Sequence, residues 1–353
     1  MLRTAISARA LRFAAPLGMI GLVAGPAAAH HSPAAFDLQK TVTIEGVVAR
    51  YHWASPHVYI DVEGEDATGD KKIWRVEGAW PASLVPYGWS AKTLETGDAV
   101  VVTGNPARNT ASRMVLGRSL RTGGVTRLLN VVPGTPPPDT SLTRLDRTGM
   151  LPAEALVGTW LPLDSKPLVF IDTGPWLTDE ARAAVRNGRL RLGTGEEEAA
   201  RCVPQGPPLN MSFQEAKAFE ARGDDIIIDV VVVDDTKRFV HMNEGSNEHA
   251  TPDREGYSVG HWEGDALVVV TTFAEDDEDR GIIKGVPWSE GTRLVEHFEL
   301  SRDRKRLTYT YSVENPEYLT RPFTQSVHWA FRPDFEIPRL KCDADIAHRF
   351  LEN

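Results

Sequence analysis

Ten histidines are spread unevenly along the 353-residue chain, and two groups of them fall where they could do chemistry. The first group is His30, His31, His52 and His57. Leader cleavage after Ala29 would put a free α-amine on His30 with His31 beside it, and cleavage one residue earlier would leave Ala29-His30-His31. An amine and an imidazole nitrogen within chelating distance suit Cu(II), the strongest divalent binder of the first row. His52 and His57 flank the turn Trp53-Ala54-Ser55-Pro56, so all four could meet if the N-terminal segment folds back. The alternative is a frayed end, with His57 in ordinary hydrogen bonds. No fixed-spacing pattern of the structural-zinc kind is present.

The second group is His241, His261, His297 and His328, with Trp262, Trp288, Tyr309, Tyr311 and Trp329 nearby in sequence. Aromatic rings around the mouth of a β-barrel are a usual place for a small apolar ligand, and these five rings are the candidate wall. A histidine there could serve as general base if a carboxylate such as Glu244, Glu263 or Glu296 oriented it. The candidates are His241, His297 and His328, with Glu296. Strand alternation puts Val295 and His297 on one face and Glu296 and Phe298 on the other. The acidic run Glu275 to Asp279 lacks the spacing and central glycine of an EF-hand and reads as a solvated loop. No nucleophile elbow, phosphate-binding loop, dinucleotide fingerprint or H-E-x-x-H pattern occurs, which argues against the common hydrolase, kinase, dehydrogenase and zinc-protease classes.

These residues need elements to hold them. Arg3, Arg9 and Arg12, an apolar stretch from Phe13 to Ala24, and Ala27-Ala28-Ala29 describe a secretory signal peptide over 1–29. That stretch is short for a bilayer, so the mature chain is expected in the periplasm with no integral membrane segment. Losing the three arginines takes the formal charge from −10 to −13, which disfavours nucleic acid as a partner. From Val42 to about Thr122 the pattern gives three short strands, a helical turn at Ala82–Val85, then two strands. That is the order of an OB-type barrel, assigned to residues 30–130. Gly46 suits the bend such a barrel needs. Residues 131–200 read as a linker between the domains, with Pro136-Pro137-Pro138 and a short helix, Asp179 to Arg186, capped by Thr178. Residues 201–353 return to short strands, including a strand–turn–strand at His261 to Val270 with Gly264 in the turn. An antiparallel barrel or sandwich follows. Arg201 is the one local hint of a reactive thiolate at Cys202; in an exported protein a Cys202–Cys342 disulfide fastening the two ends of that domain is the simpler assignment.

His30-His31-Ser32, the strand Val42 to Val48, the turn Trp53-Ala54-Ser55-Pro56-His57, Gly88-Trp89 and Leu94-Glu95-Thr96-Gly97-Asp98 resemble an exported bacterial domain family of unknown function marked by a Trp-x-Asn-Pro-His turn. The resemblance covers about residues 30–125, and Ser55 stands where the family usually has Asn. The later half, through Gly260-His261-Trp262-Glu263-Gly264-Asp265 and Cys342, is similar to β-rich regions often joined to that domain. The resemblance implies location and architecture and carries no catalytic residues. The expectation is therefore a periplasmic binding protein for a small, largely apolar molecule, with an N-terminal histidine site for copper. The alternative is a cofactor-free lyase, isomerase or hydrolase using histidine–carboxylate acid–base chemistry in the second barrel.

Overall fold

The computed structural model describes residues 35–65, 71–131, 142–164, 174–187, 202, 206–213, 215–230, 237–242, 255–272, 277–283, 286–288, 291–337 and 340–343; the signal-peptide assignment, His30, His31 and Glu244 lie outside them. The side chains of Asp277 to Ile283, Pro287 and Trp288 are likewise outside the description.

The first barrel is built from β1 (Val42–His52), β2 (Tyr59–Glu65), β3 (Lys71–Glu77), the short helix α1 (Pro81–Leu84), β4 (Ala99–Pro106) and β5 (Met114–Thr122), with β6 (Val125–Leu128) added beyond β5. β1 is long enough to pair with both β2 and β4, while β3 and β5 run parallel and close the ring. Gly46 sits where β1 serves both neighbours, and a Cβ there would lie 2.2 Å from the Glu63 carbonyl oxygen. Only glycine permits that approach. Ile44, Val48, Ile60, Val62, Val76, Val102, Val115 and Leu120 alternate inward and are almost wholly buried, as half-buried strands require. This is the OB order expected from the sequence.

The second barrel closes nine strands in the order β10-β11-β12-β15-β16-β17-β7-β8-β9. They are β7 (Gly158–Pro162), β8 (Lys217–Arg222), β9 (Asp225–Val230), β10 (Lys237–His241), β11 (Tyr257–Glu263), β12 (Ala266–Thr272), β15 (Arg293–Leu300), β16 (Arg306–Glu314) and β17 (Phe323–Phe331). All pairs are antiparallel except β10–β11. A separate hairpin, β13 (Asp277–Ile283) and β14 (Val286–Trp288), contributes Val286 to the core. Gly264, at φ +62°, makes the β11–β12 turn.

Three features depart from the sequence reading. Asp277 to Asp279, expected in a solvated acidic loop, belong to β13. Strand β7 comes from the segment taken for a linker. It pairs with β17 and β8, because Trp160, Leu161 and Pro162 have an apolar barrel to enter. The helix Asp179–Arg186 (here α3, after α2 at Pro152–Leu156) forms with Thr178 Oγ1 accepting from the Ala181 amide at 3.1 Å. Its surroundings differ from those expected: Leu177 bridges to Leu319, and Trp176 meets Phe323 edge-on at 5.4 Å, so it packs on the second barrel.

Cys202 and Cys342 are joined, with their Cα atoms 5.7 Å apart. The link closes 140 residues and stabilises the fold by roughly 4–5 kcal/mol on a chain-entropy basis. It also ties the tail to the first barrel, since Cys342 forms a parallel bridge with Ser55. No helix among the described residues is long and apolar enough to cross a membrane.

Candidate functional site

The inward faces of the second barrel hold both an aromatic wall and a charged network. On β15 and β16 the side chains of Leu294, Glu296, Phe298, Tyr309, Tyr311 and Val313 are fully buried. Cross-strand register sets Phe298 against Tyr309 and Glu296 against Tyr311. Phe298 and Tyr309 stack at 4.9 Å, and Tyr309 and Trp329 stack at 5.2 Å with their planes 16° apart. Phe219 from β8 meets Phe298 edge-on at 5.6 Å. Such offset and edge contacts add about 0.5–1.5 kcal/mol per pair beyond the area they bury.

Into this wall β10 inserts Arg238. Its Nη1 donates to Glu296 Oε1 at 2.9 Å, and its Nη2 donates to Glu296 Oε2 and to Thr271 Oγ1 at 2.7 Å. Its Nε donates to Ser258 Oγ at 3.1 Å, and Tyr309 Oη donates to Glu296 Oε1 at 2.6 Å. Every guanidinium nitrogen has an acceptor, and both carboxylate oxygens are engaged. Burial opposes the Arg238 charge, but Glu296, with Tyr309 and Glu255, outweighs it and the net shift is upward. Burial, reinforced by the Glu296 charge, holds the Tyr309 phenol far above its usual range.

Two donors in the wall are not engaged. Tyr311 Oη and Trp329 Nε1 are buried with no hydrogen-bond partner. They flank Tyr309, whose ring is 5.3 Å from Tyr311 and 5.2 Å from Trp329. Burial raises the Tyr311 phenol well above its ordinary value, so it remains a donor at any physiological pH. Elsewhere on the inward face Lys217, fully buried, donates to the Glu215 carbonyl oxygen at 2.8 Å. Burial pulls the Lys217 ammonium down to about 8 against the attraction of Glu215, and burial raises the Glu215 carboxyl.

The expected residues divide between the two sides of the barrel. Tyr309, Tyr311, Trp329 and Glu296 are brought together inside, and Trp262 packs half-buried against the same core. His297 and His328 point out, because each alternates with an inward neighbour. His297 is exposed, and His328 Nδ1 lies 2.8 Å from Asp164 on the surface. His261 is likewise exposed, against Glu263. His297 and Glu296 lie on opposite faces of β15, as strand alternation predicts, and Glu296 serves Arg238. His241 is partly buried at the end of β10, stacked on Tyr257 and 3.3 Å from Asp225 Oδ2. Sequence reasoning missed Arg238, Ser258, Thr271, Lys217 and the Asn210–Glu255 pair. The available signal was that Arg238 and Val240 share a face of one strand.

In the first barrel His52 and His57 take different partners. His57 Nδ1 is 3.0 Å from the Gly78 carbonyl oxygen and 3.6 Å from the buried Glu77, with Trp80 edge-on at 6.3 Å. His52 Nε2 is 3.8 Å from Asp343; burial lowers its affinity for a proton, with Asp343 pulling the other way. Among the described residues no group of three His, Cys, Asp or Glu is placed to hold a metal ion.

No curated protein matches the chain. Residues 19–115, which take in the first barrel as far as the start of β5, match the model of a family of unknown function, DUF6152.

Proposed function

We propose that the second barrel binds a small, largely apolar molecule presenting one hydrogen-bond acceptor, and that the protein is an exported, periplasmic binding protein. The observation that carries this reading is the pair of fully enclosed donors, Tyr311 Oη and Trp329 Nε1, set in a wall of stacked rings. A buried donor without an acceptor costs about 1–3 kcal/mol. A carbonyl oxygen on an aromatic guest would recover that cost while its rings pack on Phe298, Tyr309 and Trp329. The guest needs no charge, because Arg238 and Glu296 neutralise each other. The disulfide supports an oxidising compartment. Copper held by the mature N-terminus and His31 belongs to the same reading, and metal analysis of protein exported with its native cleavage site tests it.

The test is a thermal-shift panel of matched pairs, such as acetophenone against ethylbenzene. The ketones are expected to raise Tm and the hydrocarbons to do less, with the difference lost in Tyr311→Phe. No shift from any member, or equal shifts from both, refutes the reading. A cofactor-free acid–base enzyme is the second reading, favoured by the His241–Asp225 contact at 3.3 Å. It requires His241→Ala to abolish turnover of a bound guest.

A further inference from the structure

Residues Leu340–Asp343 lie on the turn between β1 and β2. The Ser55 amide donates to the Lys341 carbonyl oxygen at 3.3 Å, and the Asp343 amide donates to the Ser55 carbonyl oxygen at 3.1 Å. Leu340 and Ala82 are buried together, with Trp53 and Ile337 packed against them, and Asp343 faces His52. The segment therefore meets the turn through one parallel bridge, with backbone pairing to Ser55 on either side of Cys342, an apolar side chain in the Trp53–Ala82 pocket, and a carboxylate opposite a histidine. Backbone pairing of this kind supplies affinity, and the flanking pockets supply selectivity. Cys342 lies in the middle of the segment, and its partner Cys202 is held at φ +59°, a left-handed conformation that a residue with a side chain rarely adopts. Both cysteines are only partly buried, and strained or exposed disulfides are the reducible ones.

We infer that this turn of the first barrel is a peptide-acceptor site, occupied in cis by Ile337 and Leu340–Asp343, and that the Cys202–Cys342 disulfide locks the occupant in place. A dithiol reductant opens the lock. One of its thiolates attacks a sulfur of the disulfide and forms a mixed disulfide, releasing the other cysteine. The second thiol of the reductant then displaces the remaining cysteine. Two electrons and two protons pass to Cys202 and Cys342, and the reductant leaves as its own disulfide. The freed site takes an extended peptide with an apolar residue three positions before an acidic one. This inference concerns the first barrel and does not depend on a ligand in the second.

The probe is a fluorescein-labelled peptide of residues 336–343 with serine at the cysteine position. Once unlocked, the tethered tail still competes at millimolar effective concentration. The acceptor is therefore the full chain carrying Cys202→Ser, Cys342→Ser and Leu340→Asp, which undocks its own tail. Expected are saturable binding to this variant, at least tenfold weaker binding to the oxidised wild-type chain, and loss of binding when the peptide carries aspartate in place of its leucine. Binding that is absent up to 1 mM peptide, or equal for the oxidised chain, overturns the inference. A second measurement needs no variant: reducing the wild-type chain is expected to speed hydrogen exchange of the Ser55 amide at least tenfold while the Val62 and Val102 amides stay protected. An unchanged Ser55 rate also overturns it.

Discussion

Replacing Glu296 with glutamine keeps the volume and one acceptor oxygen but removes the charge opposite Arg238. Both side chains have no solvent exposure, so water cannot take over. The guanidinium loses its carboxylate and keeps only Ser258, Thr271 and the amide oxygen, while Tyr309 Oη loses a charged acceptor. Breaking one side of a buried ion pair costs about 3–5 kcal/mol. At 2–4 °C per kcal/mol for a domain of this size, the second barrel should melt roughly 6–20 °C lower. The double variant Arg238→Met, Glu296→Leu removes both charges and should recover most of that loss, since a buried pair replaced by apolar residues is often near neutral. Calorimetry on the wild type, Arg238→Met, Glu296→Leu and the double variant closes the cycle, with Glu296→Gln measured beside them. A Glu296→Gln melting point within 2 °C of wild type would refute the desolvated network.

Lys217 makes stability depend on pH. Its folded value, about 8, lies below the ordinary 10.5, so between those values the unfolded chain binds the extra proton and stability rises with pH. The gain should approach about 3 kcal/mol, at 1.36 kcal/mol per unit, until unfolded tyrosines begin to ionise near pH 10 and reverse it, because folded Tyr309 and Tyr311 are held neutral. Denaturant melts from pH 7 to 10 should show the rise in wild type and not in Lys217→Met. Tyr311→Phe should leave the ligand-free barrel unchanged or about 1 kcal/mol more stable, since it deletes a donor without a partner; a loss above 2 kcal/mol would show that the hydroxyl is already satisfied. Gly46→Ala should cost about 1–3 kcal/mol by forcing a methyl against the Glu63 carbonyl, read as a drop in the first barrel's melting point.

Local signals carried the fold. The alternation Leu294, Glu296, Phe298, Leu300 placed one face of β15 inward, and Thr178 with Asn187 bounded α3, the longest helix among the described residues. Gly264 marked its turn. What was hidden depends on contacts far apart in sequence. Strand β7 is only five residues, opening on Gly158 and closing on Pro162, and becomes a strand by pairing with β17, more than 150 positions on. Arg238 stands beside Lys237 and reads as surface, yet Phe239 is the residue turned outward, 41% exposed. Histidines drew attention as acid–base candidates, but the barrel interior uses Arg238, Glu296 and tyrosines. Register decided which polar side chains entered, and residue type alone did not.

The most direct test is the Trp329 indole N–H signal in a 15N-labelled chain, assigned through Trp329→Phe and followed during titration with acetophenone and then with ethylbenzene. Capture of an acceptor in the aromatic wall predicts a saturable downfield shift of that proton with the ketone alone. A Trp329 signal that the ketone leaves unmoved while the protein is stabilised, or that both compounds move alike, would contradict it.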